Sequence, residues 1–201
     1  MPTIYQLKPA FQNLLRPLTQ RLFRFGATAN HVTLAAMVLS CVVGALLYYF
    51  PSRWTLALIP LFLFLRMALN AIDGMLAREH HQKSALGAVL NELGDVVSDA
   101  ALYLPFAILP GSNPTLLVLT VVLAVLSEMT GVVAVQIGAT RRYDGPMGKS
   151  DRAFVFGAVA LALALGVPFG VWQNWAFAAI AMLLLLTIFN RAHSALQEVR
   201  R

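Results

Sequence analysis

Cysteine is nearly absent from this 201-residue chain, and acids are scarce: 9 Asp and Glu stand against 15 Lys and Arg. The single Cys41 can close no internal disulfide. No Cys or His spacing fits a zinc or haem site, no glycine run fits a P-loop, and neither a low-complexity tract nor an internal repeat interrupts the chain. Charged residues make up only 12%, about half the share in a soluble domain, so the formal charge of +6 has no folded water-facing surface on which to meet nucleic acid and suits anionic lipid headgroups instead. Residues 1–24 lack the continuous apolar core of a cleavable leader and carry Lys8, Arg16, Arg21 and Arg24 along their length.

What is abundant is apolar side chain: 59% of residues are hydrophobic and the mean hydropathy is +0.71. Runs of about 20 apolar residues, enough to cross about 30 Å of hydrocarbon, fall at 31–50, 54–77, 85–109, 115–139, 153–172 and 174–191. The expected fold class is all-α: a polytopic membrane protein whose six transmembrane helices occupy residues 27–201, preceded by an amphipathic juxtamembrane helix over residues 1–26. That helix would rest on the membrane surface, with Tyr5, Phe11, Leu14, Leu15, Leu18 and Phe23 as anchors. Basic residues cluster before the first span, at Arg78 and Lys83, at Arg141, Arg142, Lys149 and Arg152, and at Arg191, Arg200 and Arg201. The positive-inside rule therefore places both termini and the loops near residues 80 and 145 in the cytoplasm, with Arg53 alone opposite.

Against this background "NAIDGMLAREHHQKSALGAVLNELGDVVSDA", residues 70–100, is anomalous. On a helix Asn70, Asp73, Gly74 and Ala77 share one face, and Gly87, Asn91, Asp95 and Asp99 repeat every four residues on the next. A short loop makes the two helices antiparallel neighbours, so their oxygen-bearing stripes can face one another. Carboxylates grouped at membrane depth repel unless a cation compensates them. These oxygen donors, without His or Cys, suit magnesium, manganese or calcium. The small residues on the same faces leave room for a bulky polar group such as a nucleotide.

The run Asp73-Gly74-x-x-Ala77-Arg78, then Gly87, position 91 and Asp95, resembles the signature D-x2-D-G-x2-A-R-x8-G-x3-D-x3-D of the CDP-alcohol phosphatidyltransferases. The spacing is kept throughout, while Asn70 and Asn91 stand where the pattern has aspartate. The resemblance implies a six-span enzyme of a bacterial inner membrane, with its active site on the cytoplasmic side. Such an enzyme moves a phosphatidyl or related phosphoryl-alcohol group from a CDP-linked lipid donor to an alcohol acceptor and releases CMP. It also implies a homodimer and a divalent metal, Mg2+ or Mn2+ with Ca2+ as a possible occupant, as one or two ions. The metal ligands would be Asp73 and Asp95, with Asn70, Asn91 and, one turn deeper, Asp99. Asp95 would be the catalytic base. Donor binding would fall to Asp73, Gly74, Ala77, Arg78 and Gly87, with Asn30 and Thr33 resembling the Asn-x-x-Thr that opens the first span. "GPMGKSDR", residues 145–152, resembles a Gly-Lys-x-x-Arg acceptor-phosphate element in Gly148, Lys149 and Arg152, to which Arg191 would add a third cation.

Blander readings stand beside these. Asp99 can equally accept hydrogen bonds from a neighbouring span, Asn30 can be a helix cap, the Gly-Lys loop can serve topology alone, and Glu92 points away from the metal stripe towards a partner helix or solvent. His80 and His81 read as solvated loop residues. Arg66 and Glu128, at matched depth about 18 Å from the cytoplasmic helix ends, are expected to pair across spans two and four. The two asparagines leave open a metal-poor or inactive relative that binds CDP-lipid or scaffolds other lipid enzymes. A small transporter lined by Arg66, Asp73, Asp95, Asp99 and Glu128 is a further alternative.

Overall fold

The computed structural model describes the backbone of residues 4–200, and their side chains from Pro9 onward. Seven helices follow one another: α1 (Ile4–Arg24), α2 (Ala29–Tyr49), α3 (Arg53–Glu79), α4 (Ala85–Tyr103), α5 (Pro114–Val133), α6 (Lys149–Ala164) and α7 (Trp172–Val199). Short 3-10 turns extend α4 over Leu104–Ile108 and α5 over Ala134–Ile137, and no strand occurs among the described residues. Four helices, α2, α3, α5 with its 3-10 turn, and α7, are long and apolar enough to cross a membrane. The two remaining core helices, α4 and α6, are shorter and carry Asp95, Asp99, Lys149 and Arg152.

Local chemistry sets these boundaries. Ser52 caps α3 by accepting from the Thr55 N–H, Ser84 caps α4 by accepting from Gly87 at 2.9 Å, and Asn113 caps α5 by accepting from Leu116 at 3.1 Å. α2 is capped by Thr28, whose hydroxyl accepts from the His31 N–H at 3.2 Å. Asn30 therefore lies inside the helix and is not its cap. α4 stops as an α-helix at Tyr103 because Pro105 has no N–H to continue the ladder. α6 starts four residues earlier than hydropathy suggests and ends at Ala164, before Gly166 at φ +97° and Pro168.

The interior holds Tyr103 stacked on Phe156 at 3.9 Å, Phe106 edge-on to Phe156 at 5.3 Å, and Phe177 stacked on Phe156 at 5.5 Å, which ties α4, its 3-10 turn, α6 and α7 together. α1 docks along α3: Phe11 meets Phe64 edge-on, Leu15 and Leu22 pack with Ile72 and Leu76, and Phe23 stacks on His80 at 4.0 Å. Of the anchors expected from sequence, Phe11, Leu15 and Phe23 thus contact this helix or its C-terminal loop, while Leu14 and Leu18 stay exposed. The Tyr5 side chain, like that of Lys8, lies outside the described residues, as does Arg201.

Candidate active site

Where α3 ends and α4 begins, their polar stripes meet the start of α2 and enclose a cavity of about 460 Å³. Asp73, Gly74, Ala77 and Arg78 reach it from α3, Gly87 and Asn91 from α4, and Asn30 and Thr33 from α2. Every donor-site residue expected from the sequence lines this one space. The packing has stated reasons. The Thr33 hydroxyl lies 2.9 Å from Asp73 Oδ2, fixing the carboxylate across the α2–α3 contact. Gly74 leaves the volume into which the Arg78 guanidinium folds, since a Cβ there would stand 3.1 Å from Arg78 NH1. A Cβ at Gly87 would sit 2.8 Å from Asn30 Oδ1, so glycine keeps that amide in the cavity wall.

Gln82, Ser84 and Tyr143 line the cavity without any sequence signal, and Glu92, expected to point away from the polar stripe, lines it too. Gln82 accepts from the Ala29 N–H at 2.7 Å and ties the α3–α4 loop to α2, while Lys83 completes the wall. Glu92 takes its partner from a loop: Arg141 NH2 lies 2.6 Å from Glu92 Oε2, and the Tyr143 ring covers the same guanidinium at 4.2 Å. Nothing in the order of residues links positions 92, 141 and 143. In that loop Arg142 also holds the Asp144 carboxyl below its ordinary value through a hydrogen bond of 2.7 Å.

Deeper in the bundle the expected pairing of charges is corrected. Arg66 does not meet Glu128; its NH1 bonds Asp99, and its NH2 reaches the Asp95 carbonyl at 3.0 Å and the Asp95 carboxylate at 3.5 Å. Glu128 takes Arg152 at 3.0 Å and both Arg141 and Arg191 at 3.3 Å. Asp99 is held between Arg66 and Arg152, with Arg152 NH2 at 2.8 Å from Oδ2. Its two oxygens are occupied by guanidinium groups, so the reserve metal ligand expected from sequence is a buried ion-pair member here. Arg152 and Arg191 are each only 1% exposed. Arg191 donates to the Ser127 and Asp144 carbonyls besides its contact with Glu128, and among the described residues neither arginine lines the cavity. Lys149, the third expected acceptor contact, is bonded to Asp95 at 2.6 Å.

The donor set decides how a cation can fit. Among the described residues no three carboxylate, imidazole or thiol groups converge as a ready metal cage. Asp73 and Asn91 both line the cavity and offer oxygen donors of the kind a hard cation takes. Asp95 is approached by Asn70 Nδ2 at 3.3 Å and by Lys149, so a second ion finds its carboxylate engaged.

Fold and site together define an integral membrane protein with an oxygen-lined, cation-flanked cavity at one end of its helical bundle. The sequence model of the CDP-alcohol phosphatidyltransferase family matches residues 27–189, and the chain belongs to that family. It is 50% identical over 194 residues to the inner membrane protein YnbA of Escherichia coli, covering 96% of each chain. It is 27% identical to the phosphatidylinositol phosphate synthase of Mycolicibacterium smegmatis, over 96% of this chain and 89% of that one. The fold is similar to the crystal structure of Mycobacterium tuberculosis phosphatidylinositol phosphate synthase with CDP-DAG bound, at TM-score 0.75 and 20% identity, covering 89% of this chain and 92% of that one. The same enzyme's structure with manganese and citrate aligns at TM-score 0.74 and 20% identity, over 90% and 88% of the two chains.

Proposed function

We propose that this protein transfers a phosphatidyl or related phosphoryl-alcohol group from a CDP-activated lipid such as CDP-diacylglycerol to the hydroxyl of an alcohol acceptor, releasing CMP. The observation that carries the reading is the single cavity that gathers Asp73, Gly74, Ala77, Arg78, Gly87, Asn30 and Thr33. In this reading all six helices α2–α7 cross a bacterial inner membrane, the cavity and both termini face the cytoplasm, and the chain works as a homodimer. Arg78 and Lys83 flank the donor diphosphate. Gly74 and Gly87 let the nucleotide approach the helices, and Thr33 orients Asp73. A magnesium or manganese ion at Asp73 supplies charge neutralisation to the diphosphate oxygens when bound. The acceptor oxygen bonds to the lipid-side phosphorus, the bond from that phosphorus to the bridging oxygen breaks with its electron pair leaving on CMP, and Asp95 takes the hydroxyl proton.

The donor's acyl chains need an apolar channel. A groove of about 680 Å³ between α3 and α6, lined by Pro60, Leu63, Phe64, Met67, Phe154 and Leu161, has Ser150 and Asp151 at its polar margin, immediately after Lys149 in the chain. We assign one acyl chain to it.

The test is CMP release by purified protein given CDP-diacylglycerol, Mg2+ or Mn2+, and a panel of polyols and polyol phosphates. Asp95→Asn, which keeps the shape and removes the base, lowers kcat by about 10²- to 10⁴-fold. Full activity in that variant dismisses Asp95 as the base. No CMP from any acceptor favours the second reading, a CDP-lipid-binding relative without catalysis, which the Lys149–Asp95 pair and the two asparagines make specific.

A further inference from the structure

Asp95 is already supplied with a cation. Lys149 Nζ lies 2.6 Å from Oδ2, and the Asn70 amide lies 3.3 Å from Oδ1. Arg66 also reaches Oδ1, at 3.5 Å, but shares its charge with Asp99, whereas Asp95 is the one ion-pair partner of Lys149 among the described residues. The position of Lys149 is built into the fold. Gly148 takes the N-cap position of α6, the Asp151 carboxylate accepts from the Gly148 N–H at 2.9 Å, and Lys149 is the first residue of the helix that packs against α3.

Charge decides what else the site can hold. Asp73 and Asp95 bring two negative charges, Asn70 and Asn91 bring none, and the Lys149 ammonium cancels one. Before any donor binds, one divalent ion leaves a single positive charge in excess. Two would leave three uncompensated charges a few Å apart in a partly buried site, and at a few kcal/mol per close pair no amide oxygen offsets that. Building on the phosphatidyl-transfer reading, we infer that Lys149 is the resident counter-ion of Asp95 and excludes a second metal, so that the protein works with one divalent cation, held at Asp73. The lysine is a positioning residue: it holds the Asp95 carboxylate by the oxygen opposite the one Asn70 approaches.

The experiment is a titration of Mn2+ alone into the purified full-length protein in lipid nanodiscs, read as loss of the free-ion EPR signal. The expected count is one ion per chain for the wild type, two for Lys149→Met, and one for Lys149→Arg, which keeps a cation on Asp95. Two ions or none in the wild type overturn the inference, as does a folded Lys149→Met that still takes one. Should Lys149→Met fail to fold, the counts for the wild type and Lys149→Arg decide the matter. CMP release measured on the same preparations separates this result from the enzymatic reading. A one-ion wild type that makes no CMP fails the reaction and keeps the counter-ion, while a two-ion wild type that makes CMP does the reverse.

Discussion

A carboxylate between two guanidinium groups in the interior of an apolar bundle stands only while all three charges remain. Asp99 is 4% exposed, Arg66 3% and Arg152 1%, and Arg152 passes the chain of charges on to Glu128. Removing one member strands the others, which costs about 3–5 kcal/mol, whereas removing a bonded pair together strands less. Asp99→Asn is therefore expected to lower thermal stability by about that amount. In double-mutant cycles followed by thermal melting, Arg66→Leu with Asp99→Leu recovers much of the single losses, while Arg66→Leu with Glu128→Leu, which are linked only through Asp99 and Arg152, recovers less. Recovery in the second cycle instead of the first contradicts the observed pairing. The sequence made the need for compensation legible, and a rise of 1.5 Å per residue placed Arg66 and Glu128 at one depth. Depth does not give the direction a side chain points around its helix, and Asp99, one turn beyond the signature, is the group that Arg66 faces.

Elements show the same division. The spans expected from hydropathy fall on α2, α3, α5 and α7 within a few residues at most ends, because a long apolar run is itself the signal. At α4 and α6 the boundaries depend on single residues, Pro105 and the Gly148–Asp151 cap, which an averaged hydropathy does not register. The cavity was readable because a spacing of three and four residues fixes a helix face. Its Tyr143 wall, and the Arg141 that contacts Tyr143 and Glu92, were not, since an irregular loop has no period. How closely helices approach is another property the sequence only hints at. At Gly44 of α2 an added Cβ would fall well inside contact distance of the Ala101 carbonyl of α4, and that atom is helical backbone that cannot rotate away. Gly44→Ala is expected to cost about 1–3 kcal/mol by forcing α2 from α4. Because these helices carry Asn30, Thr33, Gly87 and Asn91 into one cavity, the same variant weakens CDP binding, measured by calorimetry. Unchanged stability together with unchanged CDP affinity would show that the contact is not needed to hold the cavity walls.

At the scale of the whole molecule, two spaces of different chemistry are present: the cavity between α2, α3 and α4, which carries Asp73, Arg78 and Lys83, and the apolar groove between α3 and α6. A lipid with a charged head and a greasy tail fits such a division, and the groove can be probed without touching the head-group residues. Gly157 lies on the groove floor, where a Cβ would meet Leu63 and Pro60 at 3.6 Å, an ordinary contact, so Gly157→Ala is tolerated and serves as the control. A larger side chain fills the channel. Gly157→Phe displaces a few methylenes of a bound chain, and at about 0.8 kcal/mol each the loss of two corresponds to roughly a tenfold rise in KM for a long-chain CDP-diacylglycerol. A donor with acyl chains too short to reach the groove keeps its KM within about twofold, since its head group meets the same Arg78 and Asp73 in both proteins. Equal rises for both donors would locate the damage in the α3–α6 packing, and no rise for either would remove the acyl chain from the groove. The selectivity between donors, more than the size of either change, tests whether head and tail are held in these two separate spaces.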